Sequence, residues 1–252
     1  MKRRLFAEAL VFVVLASALA ASIPLSADAF YWSWDALNHH VYLGLTAEQP
    51  RWNLDVMAAS GQSYQYPYLY WPVYKLPQWF NSGAAAGAVW SAASAALLTL
   101  PTWLICLRLL PDGRRRWWHG TLERTVACGF AAMSTVVVVG LETSASDVLA
   151  AVPLLWAVWV ALGPRSPRRA FWAATLWGVS VAFKLSNGLF LPLLLFWWWQ
   201  PQAPRLPWRP GLALASGASL GFLVIYAPWG WQLWQLTGNP LYPFLGNLMG
   251  RG

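Results

Sequence analysis

The stretch of sequence that decides the fold is DAFYWSWDALNHHVY, residues 28–42. An apolar run over residues 5–25 precedes it, and at ~1.5 Å per helical residue this run is long enough to cross a ~30 Å hydrocarbon core. A second apolar run covers residues 83–110. Neither run could bury the carboxylates, imidazoles and phenols that lie between them at low cost. The sequence therefore predicts a large first outer loop, residues 26–82, which separates two membrane spans and holds short interfacial helices.

The composition of the chain excludes a soluble domain. Of its 252 residues 58% are hydrophobic, only 10% are charged and 20 are tryptophan, so too few polar side chains exist to cover a water-facing surface. The formal net charge of +8 comes from short arginine clusters between apolar runs, which is typical of cytoplasmic loops. We therefore expect a polytopic membrane protein and no nucleic-acid partner. Cys106 and Cys128 lie inside apolar runs and indicate neither a disulfide framework nor a metal site.

The apolar runs predict about seven membrane-spanning helices in one membrane domain, residues 1–252. The segment 170–200 has two interpretations: one long helix with Lys184 at its midpoint, or a hairpin of two short helices that turns at residues 184–188. We favour the hairpin, because a lysine at the bilayer centre costs roughly 3 kcal/mol and Asn187-Gly188 is a turn signal. After the first two spans, the others are then expected at residues 125–141, 148–163, 170–183, 189–200 and 211–229.

The distribution of basic residues predicts the orientation of these spans. All but four of the 17 lysines and arginines fall on the side that holds Lys2, Arg3 and Arg4, and such an excess marks the cytoplasmic side. The amino terminus is therefore expected in the cytoplasm and the first outer loop on the opposite face. A cleavable signal peptide is the alternative for the first span, since the small residues at 18–20 and 27–29 resemble processing sites. Both interpretations place Asp35 outside the cytoplasm.

This topology collects charged side chains from distant parts of the chain on the outer side. One outward cavity could hold them, although for each of them a loop position that simply faces water is the alternative. Asp35 is the strongest candidate, because it follows a run of aromatic residues just past the first span, where partial desolvation would make it an effective base or metal ligand. The outer side chains are Asp35, His39, His40, Arg51, Asp55, Glu142, Asp147 and Lys184.

The two histidines of the first outer loop differ in their relation to Asp35. In a helix His39 lies one turn after Asp35 on the same face, a spacing that suits a carboxylate–imidazole pair or, equally, a surface hydrogen bond. His40 points about 100° away from His39, so at most one of the two is expected to serve the site. No zinc signature accompanies them. The aromatic residues between Tyr64 and Trp79 fit either sugar stacking or a membrane-interface belt.

Several short motifs occur in an order that resembles a known family. The first outer loop holds Asp35, Asn38 and His39, followed by Gly-Gln-Ser-Tyr at 61–64 and by Pro67. An outer hairpin then ends at Asp147, and Lys-Leu-Ser-Asn at 184–187 and Gly-Asn-Pro-Leu-Tyr-Pro at 238–243 follow. Over nearly the whole chain this order resembles bacterial GT-C-type integral membrane glycosyltransferases. Those enzymes usually carry more membrane helices, so the chain is similar to their amino-terminal part.

The resemblance implies an inverting transferase at the outer face of the bacterial cytoplasmic membrane, which moves a sugar from a polyprenyl-phosphate donor to a lipid, glycan or protein acceptor. It implies Asp35 as the general base. A positive group must offset the charge on the leaving phosphate, and Lys184 is the first candidate, with Arg51 or His39 as the alternative. Glu142 and Asp147 would orient the acceptor or hold a divalent cation such as Mg²⁺ or Mn²⁺. The positions expected to bind substrate are His39, Arg51, Gln62, Tyr64, Lys184, Asn187 and Asn239.

Two other functions stay open on the sequence alone. The chain could be a non-catalytic membrane subunit that packs against partner proteins, and these would supply the missing helices. It could also transport a polyprenyl-linked substrate, because a lysine near the membrane and short broken helices are typical of transporters as well. The sequence has no inverted repeat that would favour the transporter.

Overall fold

The computed structural model describes residues 2–28, 30, 33–52, 54–55, 59–111, 116–134, 146–198 and 208–246. Over these ranges the chain forms helices and turns and no strand, which confirms the prediction of an all-α protein. The α-helices are α1 (Lys2–Ala27), α2 (Val41–Glu48), α3 (Trp71–Phe80), α4 (Gly83–Leu109), α5 (Trp117–Ala132), α6 (Ser146–Ala161), α7 (Pro167–Phe183), α8 (Leu191–Trp198) and α9 (Trp208–Thr237). A π-helical segment, Ala36–His40, leads into α2, and 3-10 turns cover Ser60–Tyr64, Tyr68–Tyr70 and Leu185–Phe190.

Three helices are long and apolar enough to cross a membrane, namely residues 3–27 of α1, α4 and α9. They coincide with the first, second and last predicted spans, which are thereby confirmed as apolar helices. Helix α6 is apolar but has 16 residues. Helix α5 begins at Trp117, earlier than the start expected at residue 125, and residues 135–145 at the end of that predicted span lie outside the described ranges. The count of seven spans stays a prediction.

The described helices group into two compact units. The first unit comprises residues 1–41 and 72–155, with α1, α3, α4, α5 and most of α6. The second unit comprises residues 42–71 and 156–252, with α2, α7, α8 and α9. The first outer loop thus contributes to both units. The prediction of a single membrane domain over residues 1–252 stays a prediction.

In the first unit α1 packs along α4 through small side chains. Ala20 of α1, Ala95 and Leu98 of α4 and Val148 of α6 form one buried cluster. In lipid the hydrophobic effect does not drive helices together, and small residues allow their backbones to approach closely enough to pack. The alanine-rich and serine-rich sequence of α4 therefore serves helix packing, as its composition predicts.

A buried ion pair ties the amino-terminal end of α1 to α5. Arg124 is fully buried, and its guanidinium donates to Glu8 Oε2 at 2.9 Å and to the carbonyl oxygen of Leu110 at 3.0 Å. The Thr121 hydroxyl donates to the other carboxylate oxygen of Glu8 at 2.7 Å. Each charge is thus paired and hydrogen-bonded, which burial of an ion requires. The contact aligns α1 with the end of α4 and the start of α5.

In the second unit α7 and α9 run parallel and touch backbone to backbone. A Cβ atom added at Gly217 would lie 2.3 Å from the carbonyl oxygen of Phe171, and one at Gly221 would lie 2.0 Å from that of Thr175. On the opposite helix a Cβ at Gly178 would lie 2.3 Å from the carbonyl oxygen of Ala218. Only glycine permits such an approach, and close packing of this kind drives helix association in lipid.

The interruption expected near Lys184 is present. Helix α7 ends at Phe183, Lys184 has an extended backbone, and the 3-10 turn Leu185–Phe190 follows. The Asn187 side-chain amide donates to Ser180 Oγ at 2.8 Å, and Trp177 Nε1 donates to the carbonyl oxygen of Asn187 at 3.0 Å. Leu194 of α8 then packs in a cluster with Ala173 of α7. Residues 170–198 therefore form two helices that pack against each other, and a single long helix over these residues is excluded.

The glycine contact makes a prediction about stability. Gly221→Ala should force α7 and α9 apart at Thr175, and overpacking of this kind costs about 1–3 kcal/mol, or roughly 2–12 °C in the thermal unfolding midpoint measured in detergent. Gly129→Ala in α5 is the matched control, because nothing lies within 4 Å of a Cβ there and alanine favours a helix by ~1 kcal/mol over glycine. A Gly221→Ala midpoint equal to or above that of the unsubstituted protein would contradict the packing.

Candidate functional site

Asp35 lies eight residues after the end of α1, the first helix that is long and apolar enough to cross a membrane, and just before the π-helical segment. Its carboxylate is 58% exposed, whereas the His39 ring beside it is buried. The distance from Asp35 Oδ1 to His39 Nδ1 is 3.9 Å, which agrees with the spacing of one turn but is too long for a direct hydrogen bond. The exposure exceeds what the preceding aromatic run predicts, because Trp34 itself points outward and is 78% exposed. The carboxylate is accessible to a ligand.

Residues that precede Asp35 and residues that follow it in the sequence are both packed in the protein interior. Phe30 is buried against Val73 and Leu76 of α3 and Trp90 of α4. On the other side His39 and His40 are both buried, and their ring centroids lie 4.4 Å apart in an edge-on contact. The wider π-helical turn holds this pair, and such turns are rare and frequently occur at functional sites. The first unit thus presents an exposed carboxylate on a packed base.

Arg51 and Asp55 form a second charged group, which belongs to the second unit. Arg51 Nε donates to Asp55 Oδ2 at 2.8 Å, and a terminal guanidinium nitrogen donates to Oδ1 at 3.1 Å. This bidentate hydrogen bond lowers the pKa of Asp55 below its usual value. Burial raises the pKa of Tyr42, and the hydrogen bond between Tyr42 and Asp55 adds to the rise. Since the charge of Arg51 is largely offset by Asp55, Arg51 is a weaker partner for a phosphate than its sequence position indicates.

Aromatic side chains of the first outer loop pack into the second unit. The ring of Tyr64 meets Tyr242 edge-on with centroids 4.7 Å apart, and Trp52 lies 5.0 Å from the buried Trp229 of α9. Burial raises the pKa of Tyr64. The aromatic density of the loop therefore serves as a packing core at Tyr64, whereas Trp79 in the first unit is 60% exposed, as an interface belt requires.

The asparagines of the two loop motifs, Asn187 and Asn239, form hydrogen bonds within their own segments of the chain. Asn239 is fully buried, and its amide donates to the carbonyl oxygen of Phe244 at 2.6 Å while its Oδ1 accepts from Leu241 N at 2.9 Å. Asn187 holds the end of α7 in the same way. Lys184 is half-buried at the helix break. Asn187 and Asn239 thus shape loops, and their expected contact with substrate stays a prediction.

The remaining candidates are placed as follows. Gln62 lies in the 3-10 turn Ser60–Tyr64, and Asp147 lies in the first turn of α6, where it is exposed. Glu142 falls outside the described residues. Among the residues that the structure describes, no three His, Cys, Asp or Glu side chains are close enough to hold a metal ion together. The divalent cation stays a prediction.

The candidate residues divide between the two units. Asp35, His39 and Asp147 belong to the first unit, and Arg51, Gln62, Tyr64, Lys184, Asn187 and Asn239 belong to the second. The single outward cavity that would join them stays a prediction. Sequence reasoning missed the partners Tyr42, Trp52, Trp229 and Tyr242, because each is an aromatic residue in an apolar or aromatic run and no local pattern marks it.

Comparison with known proteins identifies no relative. No protein-family model, curated protein or solved structure matches the chain. The likeness to GT-C-type glycosyltransferases therefore depends on the motifs and their order in the sequence.

The Arg51–Asp55 pair makes a prediction about pH dependence. Because Arg51 lowers the pKa of Asp55 in the folded state, the stability that this pair contributes is fully present above the ordinary carboxyl pKa and is lost as the pH falls through the lower, folded-state value. Arg51→Gln should therefore lower the thermal unfolding midpoint at pH 7, and the difference from the unsubstituted protein should shrink below about pH 4.

Arg3→Gln is the control for this measurement, since Arg3 is an exposed arginine of the first unit. Its effect on the midpoint should be small and should not shrink in the same pH range. A difference between Arg51→Gln and the unsubstituted protein that stays constant from pH 7 to pH 3 would show that the pair does not set the pKa of Asp55.

Proposed function

We propose that the protein is an inverting membrane glycosyltransferase of the GT-C type, which transfers a sugar from a polyprenyl-phosphate donor to a lipid, glycan or protein acceptor at the outer membrane face. Asp35 is its general base. The observation that carries the proposal is an exposed carboxylate whose Oδ1 lies 3.9 Å from Nδ1 of a buried histidine, eight residues past the end of a helix long and apolar enough to cross a membrane. The order of motifs from Asp35 to Pro243 supports the reaction class.

The length of α1 and the charges at its start support an outer position for Asp35. The helix has 26 residues, or roughly 39 Å at 1.5 Å per residue, which exceeds the ~30 Å hydrocarbon core. Lys2, Arg3 and Arg4 at its start favour the cytoplasmic side. With this orientation Asp35 is expected at the outer surface, where lipid-linked sugars on that face and a water-soluble or membrane acceptor can both reach it.

Asp55, which lies between α2 and α3, is a weaker candidate for the base than Asp35. The bidentate contact with Arg51 holds the pKa of Asp55 low, and a carboxylate with a lowered pKa has less tendency to take up a proton. Asp35 is more exposed and faces an imidazole instead of a guanidinium. Of the two carboxylates, Asp35 is therefore the one that an acceptor hydroxyl can approach without displacing a guanidinium partner.

In the proposed reaction Asp35 accepts the proton of an acceptor hydroxyl as that oxygen attacks the anomeric carbon. The bond from the anomeric carbon to the phosphate oxygen breaks, and the polyprenyl phosphate leaves with the electron pair. Lys184 supplies positive charge for the leaving phosphate. His39, whose Nδ1 lies 3.9 Å from Asp35 Oδ1, is the imidazole nearest to the reacting carboxylate in the proposal. The seven spans that the sequence predicts would give the Lys184 turn and Asp35 the same membrane face.

A non-catalytic membrane subunit is the second candidate, and one observation favours it. Trp34 and Leu37, which flank Asp35, are 78% and 69% exposed. Both lie outside the membrane-spanning helices, where large apolar side chains are normally covered by a partner or by lipid. A partner protein that covers this surface would contact Trp34, Leu37 and Asp35 together.

The proposed base is tested by Asp35→Asn. The amide keeps the shape of the side chain and cannot take up a proton, so transfer from a labelled polyprenyl-phosphate sugar should fall by roughly 10²–10⁴ while the thermal unfolding midpoint is unchanged. Asp28→Asn is the matched control, because Asp28 is exposed in the same outer segment and has φ 50°, a conformation that asparagine tolerates. Full activity of Asp35→Asn would remove Asp35 from the mechanism. Absence of transfer by the unsubstituted protein would favour the subunit.

The topology is tested by cysteine labelling in a background with Cys106 and Cys128 replaced by alanine. Ser186→Cys and Gly188→Cys are the two test variants. Ser186 is exposed, and a Cβ atom added at Gly188 would have nothing within 4 Å. Both should react with a membrane-impermeant maleimide in intact cells. Arg116→Cys, at an exposed position before α5 that the sequence predicts to be cytoplasmic, should react only after permeabilisation. Labelling of 186 and 188 only after permeabilisation would place Lys184 away from the proposed site.

A further inference from the structure

The two cysteines of the chain lie together in the first unit. The Cys128 thiol of α5 donates to Cys106 Sγ of α4, and the two sulfur atoms are 3.5 Å apart. Both cysteines are free; Cys128 is buried and Cys106 is half-buried. A disulfide bond of ~2.05 Å needs the two sulfur atoms to come roughly 1.5 Å closer, which small rotations of both side chains can supply. The pair is therefore a dithiol that a two-electron oxidant can convert into a disulfide.

Cys128 also lines an apolar cavity of the first unit. The cavity has a volume of about 320 Å³ and lies between α1, α4, α5 and α6, and its size is within the range of small-molecule sites. Alanines leave the space: Ala16 on α1, Ala95 on α4, Ala131 on α5 and Ala151 on α6. A molecule in the cavity would therefore lie beside the Cys128 thiol.

The cavity opens at the surface of the unit. Leu19 of α1 and Met133 at the end of α5 both line the cavity and are exposed. Leu19 belongs to a helix that is long and apolar enough to cross a membrane. An apolar molecule dissolved in the lipid can therefore reach the opening without passing through water.

The wall that α4 contributes carries a polar group available to a ligand. Thr99 lines the cavity and is only 7% exposed, and its hydroxyl forms no hydrogen bond within the part of the chain that the structure describes. The hydroxyl of Thr102, by contrast, donates to the carbonyl oxygen of Leu98 at 2.8 Å. Buried polar groups are as a rule hydrogen-bonded. A ligand with a carbonyl oxygen would supply the acceptor that the Thr99 hydroxyl lacks.

We propose that the cavity binds the ring of a membrane quinone, which oxidises Cys106 and Cys128 to a disulfide that joins α4 and α5. A quinone matches all three features of the site: its ring is apolar, its carbonyl oxygen accepts from Thr99, and it takes up two electrons. In the reaction both S–H bonds break and one S–S bond forms. The two electrons reduce the quinone, and the two protons bind to its carbonyl oxygens, which gives a hydroquinone. The site does not depend on the proposed glycosyltransferase reaction.

Decylubiquinone, a quinone with a short tail, tests the reaction on the purified and reduced full chain in detergent, with oxygen removed. One quinone should be reduced per chain, measured by its ultraviolet absorbance, and the intact mass should fall by two hydrogen atoms as both thiols become unreactive towards N-ethylmaleimide. Cys106→Ser and Cys128→Ser should each abolish the quinone reduction. Thiols that stay reactive in the unsubstituted protein, or quinone reduction that persists in either serine variant, would overturn the proposal.

A pair of alanine variants tests the cavity separately from the thiols. Ala16→Phe fills the cavity from α1 and should slow quinone reduction by roughly tenfold or more, because the added ring overpacks the space. Ala18→Phe is the matched control, at an exposed position of the same helix that does not line the cavity, and should leave the rate unchanged. Diamide, a small water-soluble thiol oxidant, should form the disulfide equally in both variants, which shows that the thiols still meet. Equal quinone reduction in both variants would show that the quinone does not occupy the cavity.

Thr99→Val tests the hydrogen bond to the quinone. Valine has a shape similar to that of threonine and lacks the hydroxyl, so the half-saturating concentration of decylubiquinone should rise about 2- to 10-fold, the equivalent of one hydrogen bond. The reaction with diamide should be unchanged. This variant adds no bulk, so it applies even if Ala16→Phe fails to fold. A half-saturating concentration equal to that of the unsubstituted protein would show that no quinone oxygen contacts Thr99.

Discussion

The contact between the α7 and α9 backbones is the constraint on which the second unit depends. In lipid the apolar side chains of two helices gain little by leaving the solvent, so close backbone approach and the dispersion contacts that it allows hold the helices together. Gly178, Gly217 and Gly221 supply that approach. Because the two helices are parallel and in fixed register, their carboxyl-terminal ends lie together. Trp229 and Leu185 therefore enter one buried cluster, and the loops after α7 and α9 are held beside each other.

The first unit depends on electrostatic pairing more than on glycine. Arg124 is fully buried in α5, and its charge is acceptable there only because Glu8 of α1 and the Leu110 carbonyl oxygen accept its hydrogen bonds. At the opposite end of α1, Phe30 is buried against α3 and α4. The segment that carries Asp35 is thus anchored by packing on one side and by the buried histidines on the other, so an exposed carboxylate is held on a rigid support.

The features that the sequence predicts correctly depend on local patterns. Three apolar runs predict the helices at 3–27, 83–109 and 208–237, because a run of that length cannot remain in water. The Lys184 and Asn187-Gly188 signals predict the break after α7, since a buried ammonium and a turn dipeptide both disfavour a continuous helix. The pair Asp35 and His39 follows from helical spacing alone. Hydropathy and spacing report on neighbours within one or two turns, and these three features involve only such neighbours.

The tertiary structure decides which of the polar residues already have partners. In the sequence Arg51 and Asp55 are charged residues of the outer segments, just as Asp35 and Lys184 are. In the structure Arg51 and Asp55 pair with each other through a bidentate hydrogen bond that offsets both charges. The sequence predicts that Asn239 binds substrate. In the structure its side chain forms hydrogen bonds to the backbone of Leu241 and Phe244 in the same loop. An apolar groove between α7, α8 and α9 has no sequence signature, because it arises where small residues of α7 and α9 face leucines of α8. The sequence by itself determines which residues are apolar, charged or helix-breaking. Only the packing of distant segments decides which charges are offset and where empty space is left, since both depend on contacts that no local pattern encodes.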